Sequence, residues 1–306
     1  MEKLQLDDII KMPLEELLTI AGKCRRENVG SSIEVCGVIN AKSGVCGEDC
    51  KFCAQSSHYC TDVQQYSLKN CDEILSEAKK AKANGALRFG IVTSGNRLTE
   101  DEISVVAEAI SRMIKEADII PCASLGALGE KELRMLKDAG LSRYHHNIET
   151  SERFYPNVVT THDYLERTDT VRRARELGLE VCSGGILGLG ETWQDRMDMA
   201  LLLKDLGVDS VPLNFLVPIK GTPMEDAASI SPLEAVRAVA LFRLVLKTAV
   251  IKVVAGRETV LKDFQGMMYM AGANGMMVGG YLTIAGRSVE DDQKLISEIK
   301  KLWNEE

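Results

Sequence analysis

Three cysteines stand close together near the start of the chain. Cys46, Cys50 and Cys53 form a CxxxCxxC run inside the segment GVCGEDCKFCAQSS. A structural zinc site normally takes four ligands, as paired CxxC modules or Cys/His pairs, and this run supplies three. Three thiolates match a 4Fe–4S cluster whose fourth iron is left open to an outside ligand. The spacing therefore predicts an iron–sulfur site at which a substrate or cofactor binds directly to iron.

The remaining cysteines do not indicate a disulfide framework. The chain has nine cysteines, and its first residues, MEKLQLDDII, are acidic and amphipathic rather than basic and then apolar. A secretory signal is therefore not predicted, and a cytoplasmic location is expected. Because thiols stay reduced in the cytosol, we expect these cysteines to serve metal binding or catalysis.

Composition is that of a globular protein. A chain of 306 residues with 45% hydrophobic content can bury a full core, and a net charge of −8 argues against nucleic acid as a partner.

Residues 266–286 carry no charge. Their glycines and the Ala-Asn-Gly break predict a buried helix end, a turn and a buried strand rather than a membrane span. No membrane partner is expected.

Short apolar segments rich in β-branched residues alternate with helical patterns. The predicted strands begin at Ile33, Leu87, Ala117, Ser142, Leu179, Asp209, Ala249 and Gly275. A spacing of roughly thirty residues favours an α/β fold of the (β/α)8 TIM type, which needs about 250 residues. We predict a single domain, residues 1–306, in which 1–30 form an N-terminal helical extension and 31–306 the barrel. A doubly wound parallel sheet is the alternative.

The cysteine run resembles that of the radical S-adenosylmethionine superfamily. It follows the first predicted strand, and an aromatic residue, Phe52, precedes its last cysteine, as in that superfamily. The resemblance implies that Phe52 contributes to the cofactor site and that the open iron binds S-adenosylmethionine. An electron from the cluster then cleaves the cofactor to methionine and a 5′-deoxyadenosyl radical.

Within that superfamily the chain resembles the biotin synthases along nearly its full length. The resemblance is carried by GEDCKFCAQSS, YHHNIETSERFYPNVVTTHDY, LEVCSGGILGLGET, SVPLNFLVPIKGTP and VVAGRE…MAGAN. It implies insertion of sulfur between two unactivated carbons of dethiobiotin, with two molecules of S-adenosylmethionine consumed. A homodimer, a flavodoxin or ferredoxin as electron donor, and oxygen sensitivity follow from the resemblance alone.

Four polar residues match functional positions of that family. Asn147 and Glu149 match the pair that holds the cofactor ribose and the substrate, although the family usually has Asp where Glu149 stands. Arg167 matches the arginine near the cofactor carboxylate, and Asn214 matches the residue beside the dethiobiotin ring. Without the resemblance, each asparagine would as readily form a turn, and Arg167 would as readily pair with a surface carboxylate of a neighbouring helix.

The chain departs from the family at the second, sulfur-donating cluster. The usual 2Fe–2S site has three strand cysteines and an arginine. Cys122 and Cys182 are kept, but Gly90 stands in place of the third cysteine and Lys252 in place of the arginine. An ordinary 2Fe–2S site is therefore not expected. Lys252 acts either as a counter-charge or only through its packed stem.

Cys36 is a candidate ligand that would compensate for the loss of the two usual ones. Because barrel strands point alternate residues inward, Cys36, Cys122 and Cys182 can converge from the first, third and fifth strands. We expect them to hold an auxiliary 4Fe-type cluster with an extra sulfide, which resembles a variant biotin synthase class of anaerobic organisms. Alternatively, Cys36 is a buried small hydrophobe. Cys60 and Cys71 are less favoured ligands.

Two other functions stay open at this stage. Another radical barrel enzyme, such as a hydrogenase-cofactor maturase or a lysine-rearranging mutase, would share the CxxxCxxC run. It would not account for the paired inner thiols together with YHHNIET and VPLNF. A non-catalytic iron–sulfur carrier is the third reading, but its fully ligated cluster would require a fourth cysteine.

Overall fold

The predicted strands form one parallel sheet, which closes on itself. The computed structural model describes residues 5–283 and 286–303. The strands of these residues are β1 (Glu34–Lys42), β2 (Arg88–Thr93), β3 (Ile120–Ser124), β4 (Arg143–His145), β5 (Glu180–Cys182), β6 (Gly185–Leu187), β7 (Ser210–Phe215), β8 (Val250–Val253) and β9 (Gly275–Met277).

The order of the strands confirms the barrel. Neighbours run β5-β4-β3-β2-β1-β9-β8-β7-β6, and β5 also pairs with β7 through Cys182 and Ser210. Ser183 and Gly184 separate β5 from β6, which occupy one position of the ring, so the ring has eight parallel positions. A doubly wound sheet has open edges, and that alternative is wrong.

Helices surround the strands. They are α1 (Leu6–Lys11), α2 (Leu14–Val29), α3 (Cys71–Ala83), α4 (Glu100–Arg112), α5 (Glu130–Asp138), α6 (Tyr164–Glu176), α7 (Trp193–Asp205), α8 (Pro232–Val245), α9 (Arg257–Leu261), α10 (Gln265–Met270) and α11 (Val289–Trp303). Side-chain caps begin several of them, and at Asn70, Thr99 and Thr192 the third helical residue returns the bond in a capping box.

The N-terminal helices cover the outside of the barrel. α2 packs on α8, and α1 packs on α7 and α8. As a result every residue of α8 from Ala235 to Leu244 except Arg237 is buried, including Arg243. The Arg243 guanidinium is satisfied by the carbonyls of Leu246, Lys247, Ala249 and Gly272 and by Asn274 Oδ1. Helical structure predicted within residues 1–30 is present over 6–29.

The uncharged segment behaves as its glycines predicted. It contains most of α10, a turn at residues 271–274 and β9, whose Met276 is fully buried. Ile284 and Ala285, near its end, lie outside the described residues. Over 5–283 and 286–303, no helix combines the length and the apolar character needed to cross a bilayer.

The C-terminal helix α11 was not predicted, and a buried ion pair attaches it to the barrel. Arg257 Nη2 donates to both carboxylate oxygens of Asp292, at 2.7 and 2.6 Å. Arg257 Nε also donates to Tyr281 Oη at 3.0 Å. Both charged side chains are fully buried. The pair therefore connects α11 to the segment around Tyr281, which lines the barrel cavity.

Loss of Asp292 is expected to be costly. In Asp292→Ala the buried Arg257 guanidinium loses its counter-charge, and we expect the free energy of unfolding to fall by about 3–5 kcal/mol. Denaturant unfolding measures this change. Asp291→Ala removes an exposed carboxylate one residue earlier on the same helix and should change stability little. Similar losses in the two variants would contradict a stabilising role for the buried pair.

Candidate iron–sulfur and cofactor site

A cavity of about 410 Å³ opens inside the barrel. All the residues predicted to form the site line it: Cys36, Cys46, Cys50, Phe52, Cys53, Cys122, Asn147, Glu149, Arg167, Cys182 and Asn214. Cys60 is exposed and lies outside this cavity, as does Cys71 at the start of α3. The structure therefore separates the two less favoured cysteines from the other six.

The loop after β1 places Cys46, Cys50 and Cys53. Cys46 N donates to Gln55 O at 3.0 Å, and Ser57 N donates to Cys46 O at 2.7 Å. Cys53 N donates to Cys50 O at 2.9 Å. These backbone bonds close the loop on itself, so the three thiols belong to one tight turn beside the cavity.

Asp49 attaches this loop to the segment after β4. Its carboxylate accepts bonds from Thr160 N at 2.8 Å, from Thr161 N at 3.2 Å and from both threonine hydroxyls. Burial alone would raise the pKa of Asp49, but the bonds from Thr160 and Thr161 lower it to about 2. Lys51 N adds a backbone bond to Val158 O at 3.0 Å. The loop is thus held from outside the cavity.

Removing this attachment should weaken iron retention. In Asp49→Ala the loop keeps its three thiols and the contact of Glu48 with His162 but loses the Asp49 anchor, and we expect iron to leave the loaded protein about ten-fold faster. Iron release to a chelator under anaerobic conditions measures the rate. Asp62→Ala removes an exposed acid of the same loop and serves as the control. Equal release rates in both variants would show that the anchor is not needed.

Three thiols are the donor set of a cluster that leaves one iron open. In the described part of the chain, no group of three His, Cys, Asp or Glu side chains is placed to hold a single metal ion. An iron–sulfide cube holds its thiolates at separate corners, farther apart than a single ion does. Burial raises the pKa of Cys53 to about 11 and raises that of Cys50 further. These thiols therefore release their protons on binding metal.

Three thiols lie deeper in the barrel. Cys36 is on β1, Cys122 on β3 and Cys182 on β5, so the predicted strands are confirmed. Burial raises the pKa of Cys36 and raises that of Cys122 to about 12. As in the loop, a metal is required to keep such thiols deprotonated near neutral pH. Three thiols facing one cavity, of which Cys36 and Cys182 belong to buried residues, form a donor set suited to a second cluster.

Sequence reasoning considered Lys252 but missed the two arginines beside these inner thiols. Arg88, Arg143 and Lys252 line the cavity, and all three are buried. Lys252 Nζ donates to Cys36 Sγ at 3.0 Å, so Lys252 provides a counter-charge and not only a packed stem. The sequence did contain an indication of Arg143. It precedes His145, Asn147 and Glu149 at every second position, as residues on one face of a strand do.

His145 is another residue of the site that the sequence reasoning missed. Its Nε2 lies 2.9 Å from Asn147 Oδ1, and Gly184 N donates to the same oxygen at 3.1 Å. Burial lowers the pKa of His145 to about 4, so the ring is neutral at pH 7. Because Oδ1 accepts, Nε2 carries the proton. This pair of donors fixes the Asn147 amide, whose Nδ2 faces Glu149 Oε2 at 3.4 Å.

Arg167 and Glu149 form a buried pair at the cavity wall. Arg167 Nη1 donates to Asn147 O at 2.8 Å and lies 3.7 Å from Glu149 Oε1. Arg167 Nε also lies 2.6 Å from Tyr155 Oη. Its ion pair is therefore not with a surface carboxylate of a neighbouring helix. Glu149 has a φ of 67°, a left-handed conformation that non-glycine residues adopt at a cost. Burial raises the pKa of its carboxyl group.

Asn214 lies on β7 with its amide oriented by backbone groups. Nδ2 donates to Gly185 O at 3.2 Å, and Ala255 N donates to Oδ1 at 3.3 Å. The second Nδ2 hydrogen and the second Oδ1 lone pair are left for other contacts. Phe52 packs against the core at the edge of the thiol loop. Both side chains therefore have fixed orientations at the cavity.

Comparison with known proteins defines the class first. The model of the radical SAM superfamily matches residues 41–203, and that of the biotin and thiamin synthesis associated domain matches residues 212–300. A solved methylornithine synthase has the same fold, with a TM-score of 0.83 and 19% identity over 97% of this chain and 93% of that one. The chain is thus a barrel enzyme of the radical SAM superfamily.

Two curated relatives define the family. A biotin synthase of Thermotoga petrophila is 50% identical over 98% of this chain and 99% of the relative. One of Thermotoga neapolitana is 53% identical over 89% of this chain and 98% of the relative. The chain belongs to the biotin synthase family. Membership implies a 4Fe–4S cluster and S-adenosylmethionine as cofactors, and dethiobiotin as substrate.

Proposed function

We propose that this enzyme joins sulfur to two carbons of dethiobiotin and that the six cavity thiols bind two separate clusters. Cys46, Cys50 and Cys53 would hold the radical cluster. Cys36, Cys122 and Cys182 would hold an auxiliary four-iron cluster with an extra sulfide. The supporting observation is the position of the thiols, three on a loop at the cavity wall and three on strands inside the same cavity.

Each cluster would bring chemistry that the side chains lack. When bound, the two clusters supply the electron that cleaves S-adenosylmethionine and the sulfur atom that is inserted. The protein binds, orients and shields the reactants. Gly90 is consistent with the altered ligand set, because it leaves no thiol on β2 where the family usually has one. A cysteine there would also crowd Val38, since a Cβ would lie 3.2 Å from Val38 Cγ1.

The polar residues of the wall would position the two small molecules. Arg167 carries a buried positive charge suited to the cofactor carboxylate, and Glu149 offers a carboxyl group to the ribose hydroxyls. Asn147 and Asn214 present oriented amides, which suit the N–H and C=O groups of a ureido ring. His145, as a neutral donor to Asn147, would keep that amide in a single orientation.

The proposed function also includes a cellular location, an oligomeric state and an electron donor. We place the enzyme in the cytoplasm as a homodimer of single-domain chains, with a flavodoxin or ferredoxin as electron donor. The barrel would exclude oxygen and water from the radical, which agrees with a site enclosed by strands. An anaerobic setting follows, because an open iron reacts readily with oxygen.

Product stoichiometry tests the proposed function. The protein is reconstituted anaerobically with iron and sulfide, reduced, and mixed with S-adenosylmethionine and dethiobiotin. We expect biotin, with about two 5′-deoxyadenosine molecules for each biotin, because two C–H bonds must be broken. Formation of 5′-deoxyadenosine without biotin would indicate a different radical enzyme. Binding of iron with neither product would indicate a carrier.

A further inference from the structure

A largely buried carboxylate lies close to the inner thiols. Glu34 is the first residue of β1, two positions before Cys36. Its Oε1 lies 2.7 Å from Lys252 Nζ and 2.6 Å from Arg143 Nη1, and its Oε2 lies 3.0 Å from Arg88 Nε. One carboxylate thus contacts all three cations that line this part of the cavity.

Lys252 connects this carboxylate to a thiol. Its ammonium contacts Glu34 Oε1 and Cys36 Sγ, at 2.7 and 3.0 Å. Glu34 Oε1 is itself 3.8 Å from Cys36 Sγ, a contact that becomes repulsive once the thiol is deprotonated. Gly275 makes room for the lysine stem, because a Cβ there would lie 2.7 Å from Lys252 Cγ. The positive charge is therefore held between two groups that would otherwise repel.

A second carboxylate belongs to the same network and differs in position. Glu180 Oε2 lies 2.9 Å from Arg88 Nη2 and 2.6 Å from Arg143 Nη2. The side chain of Glu180 is 39% exposed, whereas that of Glu34 is 13% exposed. Three cations and two carboxylates leave one net positive charge beside the thiols. Water screens Glu180 more strongly, so of the two carboxylates Glu34 contributes more to the field at the inner site.

We propose that Glu34 tunes the inner thiol site. Its negative charge, opposed by the Lys252 ammonium held between it and Cys36, sets the reduction potential of the cluster that the three thiols bind. The inference rests on the auxiliary cluster of the proposed function, which it deepens. Three cations within about 3.0 Å of its oxygens, Lys252, Arg143 and Arg88, keep the Glu34 carboxylate charged.

The expected effects have opposite signs for the two partners. A negative charge near a buried cluster disfavours the reduced state, which carries one more electron, and a positive charge favours it. Glu34→Gln removes a negative charge at constant shape and should raise the reduction potential. Lys252→Met removes a positive charge at similar length and should lower it. Glu180→Gln is the matched control and should raise the potential less than Glu34→Gln does.

The experiment isolates the inner site. All variants are made in a parent that carries Cys46→Ala, Cys50→Ala and Cys53→Ala, and each is reconstituted anaerobically with iron and sulfide. Iron and sulfide contents, a redox titration followed by absorbance and electron paramagnetic resonance, and the melting temperature are measured. None of these readouts depends on catalysis.

The outcomes separate the inference from the proposed function. A higher potential in Glu34→Gln and a lower one in Lys252→Met support the inference. A parent that binds no cluster overturns the auxiliary site and the inference with it. A parent with a cluster whose potential is the same in Glu34→Gln, or rises equally in Glu180→Gln, overturns the inference alone. If Glu34→Gln does not fold, Lys252→Met decides, because an unchanged potential overturns the role of the pair.

Discussion

The Cys36→Ala variant is expected to cleave S-adenosylmethionine but to form almost no biotin. Cys36 lies on a strand inside the barrel. The thiols proposed to hold the cluster that cleaves S-adenosylmethionine lie on the loop after that strand. Loss of one inner thiol should release about four irons and leave the loop cluster in place. Biotin formation should fall by more than about a hundred-fold, since changes to outer-shell groups alone cost up to that much.

Mössbauer spectroscopy, with iron and sulfide counts, tests this expectation together with the product assay. Cys24→Ala is the matched control, because Cys24 is also a buried thiol, but it lies in α2 and contacts Arg243 O at 3.7 Å. The control should retain both clusters and both products. If Cys36→Ala keeps all its iron and still makes biotin, Cys36 is a packing residue and the sulfur donor must lie elsewhere.

Replacement of Cys50 by alanine is expected to abolish both products. Cys50 is the central thiol of the run and the most deeply buried of the three. Without it the CxxxCxxC run offers two thiols, too few to hold a cube that leaves one iron open. Cleavage of S-adenosylmethionine should fall by more than about a hundred-fold, and biotin formation should fall with it.

Quantification of 5′-deoxyadenosine by chromatography measures the loss in Cys50→Ala. Cys60→Ala serves as the control, since Cys60 belongs to the same loop but is exposed to solvent. It should cleave the cofactor at the normal rate. Persistence of the inner iron in Cys50→Ala would show that the two thiol sets load independently, whereas full cleavage in that variant would refute the assignment of the loop.

Much of the fold was predictable because the signals are local. Alternation of apolar strands with helices that end in glycine is set by neighbouring residues, and it located all eight barrel positions. α11 was missed because its apolar face packs on parts of the chain distant in sequence. Trp303, for example, stacks under Arg25 with the guanidinium 4.3 Å from the ring centre.

The site was only partly predictable for a related reason. The type and spacing of cysteines indicate metal binding, so the sequence predicted that the loop thiols and the inner thiols belong to the site. Glu34, Arg88 and Arg143 are ordinary charged residues at strand starts, and only the closed barrel brings them together beneath Cys36. His145 likewise acquires a role only through the position of Asn147. Such groupings depend on register across several strands, which spacing along one strand does not contain.

The placement of the inner residues on separate strands has an evolutionary consequence. Cys36, Gly90 and Lys252, which depart from the pattern that the family resemblance implies, lie on β1, β2 and β8, and these strands pair with their neighbours through backbone hydrogen bonds. A side chain that points into the barrel can change without breaking those bonds. On the proposed function, one scaffold can thus exchange its inner, sulfur-donating site strand by strand while the loop proposed to cleave the cofactor stays unaltered, so the two halves of the chemistry are free to diverge at different rates.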